Sequence, residues 1–523
     1  MICQNVGGML LLVGALGVGA VVAAYDLLQR RHAILRNFPL IGHFRYWLEA
    51  VGPELRQYIV TDNDEERPFS RDQRRWVYAS SKRENNYFGF GSDNDMELQP
   101  NYLIIKHATF PLTSAHPGDA GFDPQFRIPC AKVLGAARRR PRAFRPASII
   151  NISGMSFGAL SGPAVEALNR GVQLAGCLQS TGEGGVSTHH LHGGELVWQI
   201  GTGYFGCREL DGRFSMDRLK ETVARCPQIR AIEIKLSQGA KPGVGGLLPM
   251  AKISQEIADI RGISRDRDCI SPAAHTAFRG PDALLDFVEA IASETGLPVG
   301  IKSAVGDSGF WDELARLMAG GTRGVDFITI DGGEGGTGAG PLVFADHVAL
   351  PFKVAFSRVQ KIFHEKGLHQ EITFVGSGKL GFPEATVFAF ALGCDLVNVG
   401  REAMLAIGCI QAQRCHTNHC PTGVATQHPW LIRGVDPATK AGRLANYVVT
   451  LRKEVLAVSR ACGVPHPALI SADHLELLDG QFGSKTVAEL FGYGRGFGLP
   501  SDVDVEEVRR LMKTESTKRE TTQ

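Results

Sequence analysis

Between residues 146 and 400 the chain repeats one pattern eight times. A short run of β-branched and apolar residues ends in Gly, Ser or a charged side chain, and a helical stretch follows. The runs fall at 148–153, 178–181, 197–201, 231–236, 299–304, 327–331, 373–376 and 396–400. Strands joined through helices pair in parallel, because a hairpin can connect only antiparallel neighbours. Eight such units in about 250 residues fit an α/β fold of the (β/α)8 TIM-barrel type; an open doubly wound sheet is the structural alternative. Either sheet places its chemistry at the C-terminal ends of the strands, so the residues there carry the functional reading.

The barrel reading takes residues 146–430. Ahead of it, residues 6–25 read VGGMLLLVGALGVGAVVAAY without one charge, and twenty helical residues rise roughly 30 Å, about one bilayer core. The first charges follow the stretch, at Asp26, Arg30, Arg31, Arg36 and Arg45. Positive charge on that side predicts a membrane anchor over 1–25 with the catalytic domain on the cytoplasmic face. The alternatives are a signal peptide, whose basic leading region MICQN lacks, and a buried helix. Residues 26–145 are polar and interrupted by aromatic pairs, and read as a segment wrapping the barrel. Residues 431–523 read as helical at 440–462, 473–478 and 503–512, ending in a charged tail.

Composition narrows the function classes. Lys and Arg number 56 against 54 Asp and Glu. That balance offers no basic excess for nucleic acid. The 62 glycines have no three-residue period and suit turns and close backbone approaches around a ligand. Eleven cysteines in 523 residues are too sparse for a disulfide scaffold, so a cysteine cluster reads as metal or redox chemistry.

The first strand ends in SGMSFGALSG, where Ser153, Gly154, Met155 and Ser156 let backbone pass close to a flat ring. The second ends in STGEGG, with Glu183 among glycines. The fourth gives IEIKLSQGAKPG, in which Glu233 and Lys235 share a face by period-two alternation and Gln238 and Lys241 follow. Two lysines and an amide at one strand end suit an anionic, dicarboxylate-type substrate; the plainer reading pairs Lys235 with Glu233 inside the barrel. The sixth strand ends in IDGGEGG, with Gly332 and Gly333. Gly376, Ser377 and Gly378 after the seventh strand, with Gly400 and Arg401 after the eighth, stand where barrels commonly hold a phosphate. A phosphate there and a ring over the first strand suggest FMN, with Lys302 at the end of the fifth strand near the ring.

Just beyond the eighth strand stand Cys409, Cys415 and Cys420, separated by five and four residues and followed by Pro421. Three thiols gathered by a tight loop look like iron–sulfur ligation. A zinc site using His416 or His419, or inert buried cysteines, are the rivals.

The stretches SGMSFGALS, STGEGG, IEIKLSQGAKPG, GGTGAGP and CIQAQRCHTNHCPTGVATQ closely resemble the FMN-binding synthase domain of glutamate synthase, over roughly residues 100–460. The resemblance implies a (β/α)8 barrel with FMN and a 3Fe-4S cluster that reduces 2-iminoglutarate, formed from 2-oxoglutarate and ammonia, to L-glutamate. It implies Cys409, Cys415 and Cys420 as cluster ligands, and Lys235, Gln238, Lys241 and Arg261 around the oxoacid and the flavin. Glu183 would be the acidic group near the imino centre.

Full-length glutamate synthases also carry an N-terminal amidotransferase domain and a C-terminal β-helix, and neither is read in this chain. Ammonia used directly, or a separate amidotransferase subunit, would replace the first. The electron donor would be ferredoxin or a reductase subunit. The family stretch GEGG followed by Gln or His is here Gly243-Val244-Gly245-Gly246-Leu247, which removes an acidic and a polar group beside the site. Some short relatives resemble N-methylglutamate synthase subunits, where the amine is methylamine. An FMN dehydrogenase of another small acid and a membrane-tethered electron-transfer subunit stand as further alternatives.

Overall fold

The computed structural model describes residues 2–29, 31–119 and 122–517. Arg30, one of the charges following the apolar stretch, and residues 518–523 of the tail lie outside the described residues. The chain forms two compact units, Met1–Arg74 and Arg75–Gln523, so their boundary falls within the stretch 26–145.

In the first unit the apolar stretch is helix α1 (Ile2–Leu28), followed by α2 (Ala33–Asn37) and α3 (Gly42–Leu55). From Leu10 to Leu28 α1 is long and apolar enough to cross a membrane, and almost none of that span is buried.

In the second unit eight parallel strands close into a barrel: β1 (Ile150–Ile152), β2 (Leu178–Ser180), β3 (Glu195–Ile200), β4 (Ile229–Lys235), β5 (Val299–Ser303), β6 (Phe327–Asp331), β7 (Thr373–Ser377) and β8 (Leu396–Val399). Each strand pairs with the next in sequence, and β8 returns to β1 through Val397 opposite Ile150 and Val399 opposite Ile152. Closure excludes the open doubly wound sheet. The strands are short and covered on both faces, which is why they read as apolar runs with little polar alternation. β5, β6 and β7 are buried throughout.

Helices return the chain between strands, and their ends follow local chemistry. The helix after β1, α4 (Gly162–Ala175), starts at Ser161, whose hydroxyl accepts from Ala164 N, has Pro163 in its first turn, and stops at Gly176 with φ 65°. Against it packs α5 (Pro437–Ala461), capped by Asp436 accepting from Thr439 N. The two approach closely at Gly171, where a Cβ would come within 2.7 Å of the Leu444 side chain. Below the barrel, Leu134 and Phe144 form a bridge, and Leu134 lines an interior cavity with Leu178, Phe327 and Leu396, stopping the N-terminal end.

The segment around 473–478 departs from expectation. Ala472–His474 is a 3-10 turn, and Leu475–Leu478 is a strand pairing antiparallel with Tyr102–Ile105. A partner some 370 positions away decides that segment, and the local pattern of leucines does not reveal it. The helices expected at 440–462 and 503–512 stand as α5 and as Asp502–Thr517.

Candidate active site

All eight strands point the same way, so Glu183, Lys235, Lys302, Asp331 and Ser377 rise at one mouth. Lys235 and Lys302 are register partners on β4 and β5. Two buried ammonium groups side by side repel, and each is matched by a carboxylate. Lys235 Nζ donates to Glu183 Oε1 at 2.7 Å and to Gln238 Oε1 at 2.7 Å. Lys302 Nζ lies 3.4 Å from Asp331 Oδ2, which also accepts from Gly239 N at 3.0 Å.

Burial works to raise the Glu183 pKa, but Lys235, with Lys241 and Arg261 farther off, holds the carboxyl below its usual range. For Lys302 burial works to lower the pKa, and Asp331 with Glu233 overcomes it, so the group stays cationic. Lys241 lacks such a carboxylate. Its ammonium donates to Ala339 O at 2.9 Å, and burial beside Lys235 pulls its pKa down to about 8, against the pull of Glu183.

The pairing of Lys235 with Glu233 is not what forms. Glu233 lies deeper, accepting from Gln199 Nε2 at 2.5 Å and Thr329 Oγ1 at 2.6 Å. Satisfied there, it leaves Lys235 to the loop carboxylate and the mouth.

Glycine is required around Glu183. A Cβ on Gly246 would come within 2.7 Å of Glu183 Oε1, and one on Gly201 would overlap the same carboxylate. Arg261 sits behind this loop, donating from Nη2 to Phe157 O at 2.9 Å with its guanidinium 5.1 Å from the Phe205 ring centroid. A Cβ on Gly184 would meet that guanidinium at 2.9 Å. Arg261 thus holds the loops after β1 and β2 together and contributes its charge to Glu183 from behind.

Of the residues read as a flavin cup, those after β1, β6, β7 and β8 adjoin one another at the strand ends, while Gly376 faces outward. Ser153 N donates to Val399 O at 2.8 Å, and a Cβ on Gly400 would lie 3.6 Å from Ser153 Cβ, joining the loops after β1 and β8. Gly332 N donates to Ser377 O at 2.9 Å, and Gly378, with φ 124°, faces Gly332. The Arg401 guanidinium donates to Glu334 O, and its stem lies against Gly336. Gly154, Met155 and Ser156 are half-exposed above β1. Gly333 is tied to Leu350 O, and Gly376 faces Leu380 and Phe352 in the outer layer. A glycine-lined rim with the buried cation Lys302 inside it fits the phosphate and ring of FMN.

The three cysteines lie in one loop, close enough that the Cys409 and Cys415 thiolates are disfavoured by a neighbouring cysteine. Burial pushes the Cys409 thiol up to about 12, with Cys415 and Cys420 pushing the same way, and burial and Cys420 raise Cys415. Cys420 is opposite: burial works to raise it, but the Thr422 hydroxyl and the N–H groups of Ala425, Thr422 and Val424 lower it. Gln411 N points at Cys409 Sγ at 3.4 Å. Clustered thiols with N–H donors aimed at sulfur fit a polynuclear iron–sulfur cluster. Among the described residues no group of three or more His, Cys, Asp or Glu side chains is placed to hold a metal ion.

Three supporting residues escaped the sequence reading. Lys252, 2% exposed, has no carboxylate and donates instead to Ala159 O at 2.6 Å, Cys415 O at 3.2 Å and Ala425 O at 3.1 Å. It fastens the cysteine loop to the loop after β1. Tyr78 OH donates to Cys409 O at 2.8 Å. His275 bridges Lys235 O at 2.9 Å and Tyr204 OH at 3.1 Å, bracing the end of β4. The Trp-Val-Tyr run at 76–78 is the only sequence signal among them, and it carried no chemistry by itself.

The closed parallel barrel carries paired lysines and carboxylates at its mouth and a three-cysteine loop beside it, the architecture expected of a glutamate synthase-type barrel. Residues 136–465 match the conserved region in glutamate synthase, and the chain belongs to that family. It is 38% identical over 497 residues to the glutamate synthase large subunit-like protein YerD of Bacillus subtilis (strain 168), covering 89% of this chain and 94% of that protein. It is 36% identical over 318 residues to the archaeal glutamate synthase (NADPH) of Methanocaldococcus jannaschii, covering 60% of this chain and 59% of that one, under two thirds of its length. A solved mandelate oxidase mutant with a monooxide FMN adduct aligns with 76% of this chain and 93% of that one at 14% identity and a TM-score of 0.41.

Proposed function

We propose that this chain is an FMN- and 3Fe-4S-dependent oxidoreductase that reduces 2-iminoglutarate, formed from 2-oxoglutarate and ammonia, to L-glutamate. The observation that carries the reading is the line Glu183–Lys235–Gln238, with Lys241 alongside. Lys235 and Lys241 hold the carboxylates of the oxoacid, and Gln238 fixes the direction in which Lys235 points. Glu183, ionised beside Lys235, attracts a cationic iminium and orients its nitrogen. Arg261 keeps the glycine loop carrying Glu183 in place. Lys302 stays protonated against Asp331 and would supply positive charge to a bound flavin, while Arg401 and the glycine rim would hold its phosphate. FMN bound there would supply hydride chemistry, and Cys409, Cys415 and Cys420 would hold a cluster that supplies one-electron chemistry.

Val244 and Leu247 stand where the family stretch carries an acidic and a polar group, and that loss of polarity next to Gly246, which faces Glu183, favours a second nitrogen source, methylamine, with N-methylglutamate as the product. The electron donor is read as ferredoxin or a reductase subunit, and a separate amidotransferase subunit is the other candidate partner. The apolar helix α1 is read as the anchor that holds the catalytic unit at the cytoplasmic face, with Arg31, Arg36 and Arg45 on the retained side.

The purified protein should contain FMN, with iron at about three atoms per chain. Cys415→Ser should lose the iron and keep the circular dichroism of the folded barrel. Full iron in that variant, or no flavin in the wild type, would contradict the cofactor assignment.

A further inference from the structure

Beyond the membrane-length helix the chain continues to expose apolar surface. Helix α3 runs on into a helical turn, Arg56–Val60. Ile41, Phe44, Leu48, Val51, Leu55 and Ile59 recur at three- and four-residue spacing, and with Trp47 and Tyr58 they cover one face about 120° wide. Arg45, Glu49 and Arg56 occupy the other face, Arg45 bridging Glu49 at 2.7 Å. In a water-soluble unit such a stripe faces a core. Here Ile41 is 77% exposed, Phe44 61%, Trp47 57% and Ile59 74%.

The start of this helix is pinned to the end of α1. Asp26, wholly buried in the last turns of α1, accepts from Leu40 N at 3.0 Å and lies 2.9 Å from His43 Nε2. Gly42 lets the start of α3 lie against α2, since a Cβ there would come within 3.1 Å of Ile34 O. The exposed stripe therefore begins where the apolar span ends.

We propose that residues 41–60 lie in the headgroup layer of the membrane that α1 spans, with the Phe44 and Leu48 face against the acyl chains. The inference rests on reading α1 as an anchor. Continuity with that span selects the bilayer over a second copy of the chain. The composition agrees: aromatic rings sit at headgroup level, and Arg31, Arg36, Arg45 and Arg56 suit lipid phosphates.

The test uses the full chain in phosphatidylcholine and phosphatidylglycerol vesicles whose acyl chains are brominated near the headgroup. Subtracting the emission of Trp47→Phe isolates Trp47 from the other four tryptophans. The expected Trp47 signal loses roughly half or more of its intensity to brominated lipid and little to aqueous iodide. The double variant Phe44→Asp, Leu48→Asp should still float with the vesicles and lose that quenching. Protein that floats while its Trp47 is quenched by iodide and untouched by lipid would overturn the interfacial helix and leave the anchor standing. Trp47 shielded from both quenchers, with cross-links between copies through α3, would overturn it in favour of self-association. Protein that does not float would overturn both readings.

Discussion

Lys235 shows how much of this site depends on single charges. It faces another buried ammonium across β4 and β5, and Glu183 together with Gln238 takes up its three protons' worth of donor capacity only in part, which leaves a donor for the carboxylate of the proposed substrate. Glu183→Ala strands that cation in a largely buried position and should destabilise the protein by about 3–5 kcal/mol, read as a lowered thermal midpoint. An unchanged midpoint would mean that water already neutralises the pair. Lys241 gives a pH signature. With its pKa pulled down to about 8 it is charged below that pH and neutral above it, so KM for 2-oxoglutarate should rise as pH increases through 8. Lys241→Arg keeps the charge and should move that rise to higher pH; a rise at the same pH in the variant would assign it to another group. The position of Glu183, Lys235, Gln238 and Lys241 at one mouth was legible because strand ends in a barrel are few and these carry charge or, at Gln238, an amide. Lys252 was not, because a lysine bonded to three carbonyls from distant loops leaves no mark in its own neighbourhood.

At the level of elements, the cysteine loop is tied down by Tyr78, on the helix Arg71–Lys82, and by Lys252, at the end of a 3-10 turn. Lys252→Met removes two hydrogen bonds to that loop and the one to Ala159 that ties it to the loop after β1, and should release iron on dialysis while the barrel's circular dichroism persists. Iron retained at the wild-type level would show that the thiols suffice. The contact of α4 with α5 is a packing test. Gly171→Val places methyls where Leu444 already stands and should cost about 1–3 kcal/mol through overpacking. All eight barrel strands were legible to within about two residues, since each is a β-branched run bounded by Gly, Ser or charge. The strand Leu475–Leu478 was not, because its pairing with Tyr102–Ile105 is set by tertiary contact and its leucines also suit a helix.

At the scale of the molecule, an apolar helix, an exposed amphipathic helix and a barrel with a redox-type mouth occur in one chain. Placing an oxoacid reductase at a membrane face would bring it near a membrane-bound electron donor, which is how the anchor and the chemistry become one account. Lysines at the end of β4 that serve amine-dependent reduction of an oxoacid would show themselves in anaerobic turnover of the full chain with reduced ferredoxin or dithionite and 2-oxoglutarate. Ammonia, methylamine and glutamine are compared as nitrogen sources, and flavin and iron are quantified in the same sample. The account predicts glutamate or N-methylglutamate that forms only when oxoacid and amine are both present, and that is lost in Lys235→Met. A preparation full of flavin and iron that forms neither product, or a Lys235→Met variant as active as the wild type, would contradict it.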